Sequence, residues 1–241
     1  MIKLIQLKQV MRNKRFLMFT IFVPCCWFLF MIALSKNDNF GHTFLYYVWY
    51  VTSALMGIIG NSIVTFGMRI TTSKRYYLLQ FKISNYSILK YLLDSLFSQL
   101  ILNLLIVCMI SILGIILGVI NISYNFLIIF LALNFFGIYV SLIGFTIGML
   151  MKKTVFEAGG FPIMMVVAIM ITPFKTFMVN NFVDYLTYFQ KIFPGYYLIN
   201  LSSNIIQNNN IGLSLLNFTV SIFLTSVPFI LLLWFKFIKE V

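Results

Sequence analysis

Residues able to move protons, hold metals or attack a carbonyl are scarce in this chain. It has one histidine, five carboxylates and three cysteines. His42 and Asp38 lie in one short polar stretch and Asp184 in another, while Glu157 and Glu240 flank apolar runs. Only Asp94 sits where a carboxylate could enter such a run. A catalytic site needs several such groups to converge. Cys25, Cys26 and Cys108 lie in apolar runs with neither metal-ligand spacing nor a disulfide framework, and read as small apolar filler. The nearest approach to a phosphate-binding loop is "GMLMKKT", Gly148 to Thr154. Lys153 stands where its second glycine belongs and Thr154 where its lysine belongs. Without those glycines the backbone amides cannot wrap a phosphate. The chain is expected to be no enzyme, to hold no metal or cofactor and to hydrolyse no ATP.

The remaining polar groups within the apolar runs are uncharged: Asn61, Ser62, Thr65, Gln99, Asn103, Asn134, Ser141 and Thr146. An amide in lipid bonds to a neighbouring helix or faces a polar path. Both readings stand for Asn61, Thr65, Gln99, Asn103 and Asn134, which are the candidates for a substrate path. Proton pumps and ion-coupled transporters bury carboxylates or histidine at mid-membrane, so the pattern speaks against both. Gly114 with Gly118, and Gly144 with Gly148, have the spacing that lets helices approach closely.

The elements that must carry these residues follow from composition. Of 241 residues, 61% are hydrophobic and 9% charged, and the mean hydropathy is +1.00. Soluble domains are about 45–50% apolar and about 25% charged, so the solvent for this surface is a bilayer. Apolar runs fall at about 16–34, 44–68, 91–119, 126–151, 158–174 and 211–235. Most reach the roughly 20 helical residues a bilayer core requires. The expectation is an all-α, polytopic membrane protein, with six transmembrane helices in a single domain over 1–241. The first run is read as a retained helix rather than a cleaved signal.

Net charge is +12. Fourteen of the seventeen basic residues fall on one side of such a six-span path, and only Lys36, Lys175 and Lys191 on the other. That asymmetry marks cytoplasmic loops rather than a nucleic-acid surface, and sets both termini in the cytoplasm of a cell membrane. Residues 1–15 mix Lys and Arg with Ile2, Ile5 and Val10, which suits an interfacial helix. The outer stretch 175–210 is rich in Tyr and Phe and holds Pro194-Gly195; it predicts two short helices in or dipping into the outer leaflet. The inner stretch "SKRYYLLQFKISNYSILKYLL", Ser73 to Leu93, has no carboxylate. Tyr76, Leu79 and Ile83 share one helical face, and Arg75 and Lys82 another. It predicts a helix along the inner membrane surface that moves the second and third spans when pushed.

The order of these features resembles the membrane subunit of ATP-binding-cassette transporters of the type-2 exporter class, over nearly the whole chain. The similar stretches are "RNKRFLMFTIFVP" with Pro24, the inner amphipathic helix after the second span, "GGFPIM" opening the fifth span, and "FPGYYLINL" before the last. In "TTSKRYYLL", Ser73 and Lys74 stand where the family carries an acidic residue, and Tyr76-Tyr77 where it carries a small one. The resemblance implies a drug-export-like permease with a cytoplasmic coupling helix and re-entrant outer helices between spans five and six. Two separate ATPase subunits would carry the ATP and Mg, and a second permease copy or a related permease would complete the assembly. Coupling would fall to Lys74, Arg75, Leu79, Lys82, Lys152, Lys153 and Glu157. The cargo would be hydrophobic or amphiphilic: a drug, a lipid or an antimicrobial peptide of amphipathic character. The alternative is a non-transporting immunity or scaffold protein that sequesters a membrane-active peptide.

Overall fold

Apolar runs this long leave their backbone N–H and C=O groups no water to bond, so each run must close its hydrogen bonds on itself as helix. The computed structural model describes residues 18–35, 42–83, 88–171, 181–207 and 209–238, and these are helical throughout apart from short connections, with no strand among them. Among the described residues five helices are long and apolar enough to cross a membrane, and Thr20–Ser35 adds a shorter apolar one. The expected interfacial helix over 1–15 lies outside the described residues.

Helix α1 (18–35) opens with a wide π-helical turn, Met18–Phe22, and continues as Val23–Ser35. Pro24 sits just past that turn. It has no N–H to give a regular turn and its ring crowds the preceding one, so a widened turn is an economical entry. Helix α2 (42–83) runs through His42–Ile59, a second wide turn at Gly60–Phe66, and Gly67–Ile83. Helix α3 is Ile88–Ile116, α4 is Tyr124–Leu150 and α5 is Lys153–Ile171. Two shorter helices follow, α6 (Asn181–Gln190) and α7 (Pro194–Ile206), then α8 (Ile211–Ile238).

The length of α2 corrects the sequence reading. No separate inner helix begins at Ser73; the second span continues unbroken to Ile83 and the third starts at Ile88. The hydroxyls of Thr71, Thr72 and Ser73 bond back to the carbonyls of Gly67, Met68 and Arg69 at 2.8–2.9 Å. Residues that look like a loop in sequence thus satisfy themselves within the helix. Gly114 and Gly118 are also reassigned. Gly118 adopts φ +67°, which favours glycine, and closes the C-terminus of α3. The N–H groups of Val119 and Ile120 both reach the Gly114 carbonyl, so Ile120 folds over Gly114 and no second helix does.

Helix α2 is the centre of the bundle. Of its apolar stretch 67% is buried, against 11% for α5 and 22% for α8. It packs along α3 and α4. Phe28, Tyr50, Ile58, Phe136, Leu201 and Ile205 are fully enclosed in the shared core. Trp49 Nε1 donates to Ser35 Oγ at 2.7 Å, tying α1 to α2, and Tyr50 and Ser111 share a buried bond of 2.8 Å between α2 and α3. The stretch 181–206 forms two helices that behave differently. In α7, with Pro194 in its first turn, Leu198, Ile199, Leu201 and Ile205 are at most 1% exposed, so it is wedged into the bundle. In α6, Val183, Thr187 and Gln190 face inward, and Gln190 Nε2 donates to the Ile169 carbonyl at 2.8 Å. Phe182, Tyr185 and Tyr188 point outward, the arrangement of an interfacial anchor.

Glycines of α4 set how closely α2 can approach. A β-carbon on Gly144 would fall on the Ser62 carbonyl, and one on Gly148 would lie 2.6 Å from the Gly67 carbonyl. Gly144→Ala is expected to lower stability by about 1–3 kcal/mol, the usual range for overpacking, and Gly144→Val by more. Gly212, with nothing within 4 Å of its β-position, should accept Ala with little change. Thermal unfolding of the detergent-solubilised protein checks all three.

Candidate functional site

Two polar regions lie between the central helices: an amide hub deep in the bundle and a basic rim at one end. The hub begins with the wide turn at Gly60–Phe66. A widened turn places successive residues on one face, and Asn61, Ser62 and Ile63 are all fully buried. Asn103 of α3 meets them. Its Oδ1 accepts from Asn61 Nδ2 at 2.8 Å and, at 3.4 Å each, from Ser62 Oγ and Gln99 Nε2. Its Nδ2 lies 3.1 Å from the Gly137 carbonyl and 3.2 Å from Ser141 Oγ on α4. Ser62 and Ser141 share a bond of 3.1 Å. One side chain therefore joins three helices. A β-carbon on Gly137 would lie 2.9 Å from Asn103 Nδ2, so this position too must be small.

The hub collects Asn61, Gln99 and Asn103 from the substrate-path candidates and binds them to each other. Thr65 is half-buried on the same wide turn. Asn134 stands apart on α4, where its Nδ2 donates to the Phe130 carbonyl at 2.9 Å. Ser62, Ser141 and Gly137 complete the hub. Ser62 and Ser141 are visible in sequence as polar residues within runs; Gly137 is signalled by its place seven residues before Gly144, on the same helical face.

At the rim, Lys74 turns inward. Its Nζ donates to the carbonyls of Met149, at 3.2 Å, and Met151. It thereby caps the C-terminus of α4, where the helix dipole favours a cation. Tyr77 stacks on Tyr91 with ring centroids 4.0 Å apart, and Tyr91 shares a 3.0 Å bond with Ser73. Arg69, read in sequence as a loop residue, lies inside α2, where its guanidinium reaches Gln99 Oε1 at 3.4 Å and rests 4.9 Å from the Phe66 ring centroid. Comparison with protein-family models, curated proteins and solved structures finds no match to this chain.

The other coupling candidates are exposed. Arg75 and Leu79 face outward on the last turns of α2, with Tyr76 and Ile83. Lys82 is on the same helix; its side chain lies outside the described set. Lys152 and Lys153 occupy the turn into α5, and Lys153 pairs with Glu157 at 3.8 Å, both ends more than half exposed. Such a pair adds little stability. Lys74 meets this turn through Met151, so the end of α2 and the α4–α5 turn form one surface. Past Lys74, residues 75–83 carry α2 about 14 Å beyond the end of α4 at 1.5 Å per residue.

Removing the hub's centre leaves several buried partners unanswered. Asn103→Leu is expected to lower stability by about 1–3 kcal/mol. Asn61→Ala and Asn103→Ala should be markedly non-additive, since they share one bond. Lys74→Met should cost about 0.5–2 kcal/mol by uncapping α4. Unfolding midpoints in detergent measure each.

Proposed function

We propose that the chain is the membrane subunit of an exporter of the ATP-binding-cassette type-2 class, without its own motor. The observation that carries this reading is the exposed face of α2 beyond Lys74. It bears exposed Tyr76, Leu79 and Ile83 beside exposed Arg75, and α3 begins opposite it with exposed Leu89 and Lys90. Apolar side chains held out beyond the bundle, among cations, suit a partner with an apolar groove and an acidic rim. In this reading two ATPase subunits, which hold ATP and Mg, seat on that end and on Lys152, Lys153 and Glu157.

The mechanics then differ from a rod lying flat on the membrane. Because α2 is one helix from its outer end to Ile83, a push on its tip is delivered along the most buried element of the bundle. The α4–α5 turn moves with it through Lys74. Such a push shifts the bundle between inward- and outward-open populations.

The hub side chains are engaged mainly in bonds between the helices, so the cargo path of this reading lies on the outer faces of the bundle, shared with a second copy or a related permease. The thinly buried α5 and α8 supply apolar surface of the kind a hydrophobic or amphiphilic cargo requires. The re-entrant role falls to α6 and α7, and the localisation to the cell membrane with cytoplasmic termini.

The same use of the hub side chains as bonds between helices favours one second reading: a non-transporting immunity or scaffold protein that sequesters a membrane-active peptide. Nucleotide dependence separates the two. The full chain reconstituted with a candidate ATPase subunit should export an amphiphilic dye or peptide only with ATP. Arg75→Glu with Lys82→Glu should cut coupled export about tenfold or more by like-charge repulsion at the docking end, while basal ATP hydrolysis persists. Protection or transport that proceeds without any nucleotide would overturn the exporter reading.

A further inference from the structure

The seam between α2 and α3 holds a cation that the coupling reading does not use. The two helices run antiparallel, and their side chains meet as Tyr77 with Tyr91, Ser73 with Tyr91, Arg69 with Gln99, and Asn61 with Asn103. Arg69 sits between the aromatic rim and the amide hub. A guanidinium carries five N–H donors, and among the described residues the acceptor this one bonds is Gln99 Oε1, at the long distance of 3.4 Å. Phe66 covers one face of it. No carboxylate lies within ion-pair distance of Arg69 among the described residues, and Asp94, the acidic residue of α3, makes no pair with it.

The opposite wall has an unanswered group of its own. By the register of the ladder Ser95 lies across from Ser73. It is 1% exposed, and among the described residues its Oγ makes no close hydrogen bond, with only a weak approach to the Tyr91 side chain. Half-buried Leu92 and Leu96 flank this wall and pack on the Phe66, Tyr77 and Tyr91 cluster. The mouth is positive, with Arg75 and Lys90 exposed. Arg69 itself is half-buried rather than fully enclosed. A guanidinium among apolar helices is costly unless an anion answers it. Basic pockets between membrane helices take lipid head groups for this reason.

We propose that the seam between the basic ends of α2 and α3 binds the phosphate of an anionic phospholipid, with Arg69 as its principal donor. The phosphodiester takes two of the guanidinium N–H groups in the forked geometry that favours Arg over Lys. Ser95 Oγ–H is the donor on the facing wall. The apolar flank suits the tails, which distinguishes a lipid from free phosphate. The lipid is a resident of the α2–α3 seam rather than cargo, and the site does not depend on any ATPase partner.

The test uses the purified full chain in a non-ionic detergent. Short-chain phosphatidylglycerol, its phosphatidylcholine counterpart and inorganic phosphate are each titrated while thermal unfolding is followed. A ligand that binds only the folded state raises the midpoint. Phosphatidylglycerol is expected to raise it, with the other two giving little. Arg69→Gln should weaken the apparent affinity roughly tenfold to hundredfold, the range for a charge-assisted bond, and Arg69→Lys should fall between. An equal shift with phosphatidylcholine would overturn the reading of head-group charge, and an equal shift with inorganic phosphate would overturn the lipid assignment. Loss of the shift in Arg75→Gln with Lys90→Gln, while Arg69→Lys binds as the unaltered chain does, would move the site to the surface and overturn it. Should Arg69→Gln fail to fold, native mass spectrometry of the unaltered chain taken from vesicles of equal phosphatidylglycerol and phosphatidylcholine decides. Preferential retention of phosphatidylglycerol supports the site; equal retention sinks it.

Discussion

The approach of the wide turn in α2 to the glycine face of α4 is the contact on which the rest depends. A widened turn leaves a carbonyl poorly satisfied along the helix axis, and the Ser62 carbonyl projects toward Gly144 where no side chain intervenes. That approach brings Ser62 within reach of Ser141 and lets Asn103 bridge both helices. Between lipid-facing helices there is no hydrophobic drive to associate, so close packing and polar bonds must hold the bundle. Here both are met at one level. Gly137, Gly144 and Gly148 recur on one face of α4 at intervals of seven and four, which keeps that face small along its length.

The basic end depends on the same register. Because α2 and α4 run side by side in the same direction, the place of Ser62 against Gly144 sets Thr71 against the Gly148 carbonyl, at 2.9 Å, and Lys74 against the last turn of α4. A slip of one residue would rotate Lys74 by about 100° and take it off those carbonyls. The cap, the aromatic stack of Tyr77 on Tyr91 and the seat of Arg69 are thus downstream of a contact well inside the bundle.

The spans were legible in the sequence because a bilayer demands long apolar runs and permits little else. All five long membrane helices overlap runs seen in the residues alone, and Pro194 marks the start of α7. The end of α2 was not legible. Arg69, Thr71, Thr72, Ser73 and Lys74 carry the polarity of a loop, and only structure shows their hydroxyls bonding back along the helix and their cations turned to other helices. Glycine spacing gave one correct pair and one misleading one. Gly144 and Gly148 pack against α2, while Gly114 and Gly118 shape a helix terminus, and the two uses look identical in four residues of sequence. Of the candidate site, the amides were recognisable as polar groups in lipid; their mutual pairing depended on the wide turn, which no short motif announces.

Charge and neutrality are graded along the α2–α3 seam, and the grading has a physical reason. Deep in the bundle Asn61, Asn103, Ser62 and Ser141 are neutral groups bonded to one another, so the helices are joined without any ion to desolvate, although the buried Asn61 Oδ1 has no partner among the described residues. Gln99 extends that set toward the rim: its Nε2 donates to Asn103 and its Oε1 accepts from Arg69. An amide can do both across that distance, which a serine is too short to span, while a carboxylate could only accept. Replacing Gln99 by Glu would give Arg69 a carboxylate and remove one of the three donors to the Asn103 oxygen, so the neutral hub and the cation would no longer be joined. The residue at this position therefore keeps Arg69 tethered yet short of a full ion pair. That is the electrostatic condition under which an external anion can still compete for the guanidinium.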